Sequence, residues 1–200
     1  MENKLIIKTA QDVINTELTG IKKLSKIIDG NFSNVIKKLS KTKGKVIFTG
    51  IGKSGLIAQK ISSTMSSTGT PSQFFHSTEM SHGDLGAISK NDIVIILSNS
   101  GSSAELKGAI NFCTKNKIFT IGISSIKSSY LIKSANISLI IPSADEACII
   151  DMAPTTSTSM ALVLGDAICI CLMKIKKFST KDYRNTVSYT HLRAHETRNN

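Results

Sequence analysis

Twice in this chain a short apolar run ends in a cluster of small residues that opens onto a helical pattern. That repeat restricts the possible folds more than anything else. Residues 46–49 (Val-Ile-Phe-Thr) lead into Gly50-Ile-Gly-Lys-Ser-Gly55, and residues 93–97 lead into Ser98-Asn-Ser-Gly-Ser-Ser-Ala-Glu105. Such runs lack strict polar alternation, so they read as strands buried on both faces. Further strands are expected at 73–76, 118–123 and 137–141. Helices are expected at 54–67, 104–115 and 154–173, the last mostly buried. Strands separated by helices predict an α/β fold: a three-layer αβα sandwich around a five-stranded parallel sheet. Before it, apolar residues at helical spacing over 10–41, interrupted at Gly30-Asn31, predict an N-terminal helical arm spanning 1–44.

In such folds ligands bind beyond the carboxyl ends of the strands, where both small-residue loops fall. Exposed N–H groups and hydroxyls at a helix start suit an oxyanion, most often phosphate. Ser54, Ser98, Ser100 and Ser103 are the phosphate candidates, with Lys53 and Glu105 placed to touch the ligand. Ordinary turn and cap use of serine is the competing account. The first loop matches Gly-x-Gly-x-x-Gly, but the strand at 73–76 ends Phe-Phe-His with no carboxylate for a ribose. It is not a phosphate loop of nucleotide hydrolases either, because Ile47 stands where that motif needs its first glycine.

The formal net charge is +11, which raises nucleic acid or an anionic membrane as partners. The excess is mostly lysine on helical patterns such as 21–24 and 35–38, without interleaved aromatics, so a solvated face is the better reading. No nucleic acid or membrane partner is expected. The longest apolar run, 160–173, is too short to span a bilayer and is broken by Gly165 and Asp166. Cys113, Cys148, Cys169 and Cys171 form no Cys-x-x-Cys pair and read as buried free thiols. A cytoplasmic protein is expected.

The second loop resembles the phosphate-binding segment of sugar isomerase (SIS) domains, which have a flavodoxin-like fold. Beside it stand Gly50-Ile-Gly-Lys-Ser-Gly55, Thr68-Gly-Thr-Pro71, Ser81-His-Gly-Asp-Leu-Gly86, Glu146-Ala-Cys148 and Ala153-Pro-Thr-Thr-Ser-Thr158. In that order they look like the arabinose-5-phosphate isomerases of the KdsD/KpsF type, over residues 10–186. The resemblance implies interconversion of D-ribulose 5-phosphate and D-arabinose 5-phosphate through an enediol, for Kdo and lipopolysaccharide biosynthesis. It implies a homotetramer with sites shared between subunits, an SIS domain over 45–186, and no required cofactor. It matches Lys53, Glu105 and Glu146 to catalytic positions. It makes Gly69, Thr70, His76 and His82 substrate contacts, and His76 a zinc-associated position where the metal is incidental or inhibitory.

Aldose–ketose isomerisation needs a base, a proton donor at the oxygens and stabilisation of developing negative charge. Lys53 suits the charge, and either Glu105 or Glu146 the proton transfer. Thr155 to Thr158 are expected to cap the long helix and to line the site. Two departures from the family stand out. Its C-terminal histidine should fall at Val187, where the stretch 187–200 reads as a non-native, adapter-like tail, and no CBS pair follows. This chain is therefore expected to turn over poorly. The rival readings are a non-catalytic sugar-phosphate-sensing SIS module and an SIS isomerase of another sugar phosphate.

Overall fold

A computed structural model describes residues 2–186; Val187 and the rest of the expected tail lie outside the described residues. Five strands form one parallel sheet: β1 (Val46–Gly50), β2 (Ser72–His76), β3 (Ile93–Leu97), β4 (Phe119–Ser124) and β5 (Ile137–Ile140). Their spatial order is β2-β1-β3-β4-β5. The α/β sandwich expected from the sequence is present, with strand ends close to expectation.

Alternate side chains of each strand enter different cores because the strand period is two. Phe48, Ile95, Ile121 and Leu139 join α2 (Gly30–Ser40), α3 (Gly52–Ser67) and α7 (Thr156–Ile175) on one face. Ile47, Val94 and Ile96 join α4 (Ser77–Met80), α5 (Ala104–Lys115) and α6 (Tyr130–Ser134) on the other. In α5 the buried set is Leu106, Ala109, Ile110 and Cys113, the i, i+3, i+4, i+7 stripe of a helix lying on a sheet. A 3-10 turn (Asp84–Ala87) and α8 (Thr180–Thr186) complete the described elements. The short helices α4 and α6 escaped the periodicity reading because one turn is too brief to show a period.

The N-terminal helices break earlier than expected. α1 (Glu2–Ser25) stops before 26–29, and Gly30 already belongs to α2, because the Asp29 carboxylate caps Asn31 N at 2.9 Å and Phe32 N at 3.2 Å. α2 buries Phe32, Val35, Ile36 and Leu39 in the same core as the sheet. The C-terminal half of α1 rests on α7, with Gly20 against Thr156 and Met160. α7 has the expected 20 residues, set two positions further along the chain, and with a mean hydropathy of 1.8 over its most apolar 18 residues it could by length and composition alone cross a membrane. In this fold it is a core helix, burying nine residues against α1, α2 and α3.

Of the four cysteines, Cys113 and Cys169 are buried as expected, and burial pushes their thiols up to about 11 and about 12. Cys148 and Cys171 are only half-buried. Cys148 sits in an open loop, where N–H groups of Ala153, Met152 and Ile150 draw its thiol below the ordinary range.

Candidate active site

The strand order reverses direction between β1 and β3, so the chain leaves those two neighbouring strands toward opposite faces. The resulting crevice at their carboxyl ends is where doubly wound sheets bind ligands. Both small-residue loops open there. Gly50 ends β1, and a Cβ at that position would meet Leu97 O at 2.8 Å and Gly55 N at 3.1 Å. Only a glycine lets β1, β3 and the start of α3 approach so closely.

Loop 98–103 is held by its own backbone and by the end of β4. Asn99 O accepts Ser124 Oγ and Ser125 Oγ, both at 2.9 Å, and Ser125 N at 3.1 Å. Gly101 has φ 63°, and a Cβ there would collide with Ser129 and Ser124. Ser98 is buried, and its Oγ accepts Gly101 N at 3.0 Å, so its hydroxyl braces the loop. Ser100 is exposed and Ser103 half-buried.

The two helices that start here lack side-chain caps. The N-cap residues Ile51 of α3 and Ser103 of α5 make no side-chain bond to their helices. Their first N–H groups therefore remain available to an anion, the condition a phosphate cradle needs. Lys53 and Ser54 lie in the first turn of α3, Glu105 in that of α5. Lys53 and Glu105 are exposed; among the described residues the two ion pairs are Lys45–Asp92 and Lys60–Asp166, so neither is spent on the other.

Glu146 reaches the same end of the sheet from the loop after β5. Its Oε2 accepts Thr155 N at 2.7 Å, Thr155 Oγ1 at 3.0 Å and Ser157 N at 3.2 Å. Partial burial pushes this carboxyl up, but the donors on Ser157 and Thr155 outweigh it and hold it below the usual range. The cap of α7 is thus Glu146, from upstream in the chain; the expected cap, Thr155, makes no side-chain cap bond. Two cavities adjoin here. One of about 40 Å³ touches Ser54, Leu97, Asn99 and Ser157; one of about 330 Å³ touches Asn99, Ser125, Glu146 and Ser157.

Not every expected residue joins them. His76 ends β2 beside Gly50 and is exposed, edge-on to Phe74, with Nδ1 accepting Thr78 N at 3.4 Å. His82 is exposed in the turn after α4. Gly69 and Thr70 depart furthest from expectation. They precede β2, at the opposite end of the sheet, where Pro71 O receives Val46 N. There the Phe178 ring covers Gly69, and Thr70 Oγ1 accepts Lys176 Nζ at 2.8 Å. A single chain cannot bring them to the crevice. Among the described residues no three His, Cys, Asp or Glu side chains gather as a metal cage, so His76 does not belong to a three-donor zinc set there.

The SIS domain family model matches residues 38–171. The chain belongs to the SIS domain family. It is 42% identical over 180 residues to the arabinose 5-phosphate isomerase KdsD of Francisella tularensis, covering 88% of this chain and 55% of that protein. It is 40% identical to KdsD of Pseudomonas aeruginosa, covering 91% and 56%. The chain therefore spans about half the length of these curated relatives. The structure of an E. coli CFT073 protein in complex with arabinose 5-phosphate superposes with a TM-score of 0.89 at 39% identity, covering 92% of this chain and 97% of that one.

Within this SIS domain, Asn99 went unselected by sequence reasoning, and Thr155 and Ser157 were expected only as part of the 155–158 run. Asn99 lies inside the serine loop but was passed over for its hydroxyl neighbours, although it borders both cavities. Ser157, 9% exposed, borders both too, and its Oγ lies near Glu146 without a hydrogen bond of its own. Thr155 was expected both to cap α7 and to line the site. The Thr/Ser run at 155–158 was the one sequence signal for Thr155 and Ser157.

Proposed function

We propose that this protein interconverts D-ribulose 5-phosphate and D-arabinose 5-phosphate through an enediolate. The observation that carries the reading is the pairing of two uncapped helix starts at the β1/β3 crevice with a carboxylate of lowered pKa, Glu146, at the same mouth. The open N–H groups and Ser54, Ser100 and Ser103 take the phosphate. Lys53 stabilises charge as the C1–C2 proton shifts. Glu146 or Glu105 removes that proton and returns it to the neighbouring carbon. The likeness to proteins named arabinose 5-phosphate isomerase, and to one solved with arabinose 5-phosphate, supports this choice of sugar.

The product fits Kdo and lipopolysaccharide synthesis in the cytoplasm. No cofactor is required, and zinc at His76 is incidental. Gly69 and Thr70 reach a sugar only from another copy, consistent with a homotetramer sharing its sites.

Isomerisation of ribulose 5-phosphate, followed by product analysis, tests the reading. Glu105→Gln and Glu146→Gln should each retain phosphate-ester binding, and at least one should lose about a hundredfold or more in kcat. Binding without turnover in both the unaltered protein and Val187→His would favour the sensing module instead.

A further inference from the structure

The N-terminal turn of α7 meets its unpaired N–H groups in an unusual way. Thr155 Oγ1 accepts Ala147 N at 2.8 Å. A hydroxyl has a single proton, so with that acceptor direction occupied the proton lies toward Glu146 Oε2, 3.0 Å away. Thr155 N and Ser157 N add their bonds to the same oxygen, and the positive end of the α7 dipole lies behind them. Oε1 receives none of these bonds. Glu146 also borders the 330 Å³ cavity that reaches Asn99 in the serine loop.

We propose that Thr155 is the positioning residue of this site: its hydroxyl and N–H lock Oε2 of Glu146 into the first turn of α7, leaving Oε1 as the free oxygen that exchanges a proton with the substrate. The proposal rests on the isomerase reading. It goes beyond it by assigning to Thr155 the state and aim of the carboxylate. The titratable and charged groups on the elements around Glu146 are Asp145, Cys148 and Asp151 in its own loop, Glu17 and Lys23 on α1, Lys127 after β4, and Lys53 and Glu105 at the crevice. Glu17 accepts Ser159 Oγ at 2.7 Å, and Lys23 donates to Ser143 O at 3.4 Å. Among the described residues no cation pairs with Glu146, so donors on Thr155 and Ser157 hold it ionised.

Two measurements on the full chain test this, for Thr155→Val and Thr155→Ser. One is a carbon-13 NMR titration of the glutamate carboxyls, with Glu146 assigned through Glu146→Gln. The other is the pH profile of kcat/KM for ribulose 5-phosphate. In Thr155→Val the Glu146 midpoint should rise and the acid limb should move the same way. The kcat/KM at the acid end should fall about tenfold, with a smaller change on the plateau, because one charge-assisted donor is lost. Thr155→Ser should restore both. Thr155→Ala replaces the valine variant if that one fails to fold.

An unmoved midpoint, or no rescue by serine, overturns the proposal. So does a midpoint that moves while the acid limb stays. If neither the unaltered chain nor Val187→His isomerises ribulose 5-phosphate, the isomerase reading falls. The midpoint needs no turnover, so it still decides whether Thr155 controls Glu146.

Discussion

Thr156 and Ser157 carry buried hydroxyls for which the described residues offer no hydrogen-bond partner. They differ in surroundings. Ser157 borders the cavities, where a bound sugar phosphate or water can complete it. Thr156 is fully buried against Gly20 of α1. A buried polar group left unpaired costs about 1–3 kcal/mol, and an apolar isostere removes that cost. Thr156→Val should therefore stabilise the protein by about 1 kcal/mol, read as a higher urea midpoint at an unchanged slope. A lower midpoint would show that the hydroxyl is paired in solution.

Among the elements, α3 and α7 set how tightly one layer sits on the sheet, and their close approach is at Gly165. A Cβ there would overlap Ile61, whose side chain is buried in the same core. Neither helix can move away without lifting Met65 or Leu164 from the sheet-side core. Gly165→Val should cost about 3 kcal/mol through overpacking, although glycine is a poor helix former. Chemical denaturation would measure it, and a neutral result would mean the layer can slide. In sequence, Gly165 only looked like an interruption of an apolar run. Its role comes from a partner helix far away in the chain.

For the molecule as a whole, acid sensitivity follows from carboxylates tied into the fold. Asp92 fastens the entry of β3 to the start of β1: it accepts Ser89 N at 2.8 Å and Lys45 N at 2.9 Å and pairs with Lys45 Nζ at 3.2 Å. Burial pushes its carboxyl up, but the bonds from Ser89 and Lys45 outweigh that and hold it below the ordinary range. A carboxyl depressed in the folded state adds stability above its unfolded pKa, about 3.9, and loses it as pH falls through the folded value. Asp92→Asn should therefore cost about 2 kcal/mol at neutral pH. The gap between variant and unaltered protein should narrow steadily below about pH 4. A gap independent of pH would assign the loss to shape rather than charge.

What the chain determined alone was local: where strands and long helices run, and which loops keep small residues at a helix start. Apolar periodicity and the chemistry of glycine and serine act over a few residues, so they can be read without the fold. The placement of Lys53, Ser54, Ser100, Ser103 and Glu105 on those loops followed directly. Strand order was not readable in this way, and it is the order β2-β1-β3 that sets the two loops side by side. The same topology sends Gly69 and Thr70 to the far end of the sheet. It also lets Glu146 cap α7 in place of Thr155. These relations depend on contacts between segments distant in sequence, whose energy comes from burial and hydrogen bonding that exist only once the chain has closed on itself.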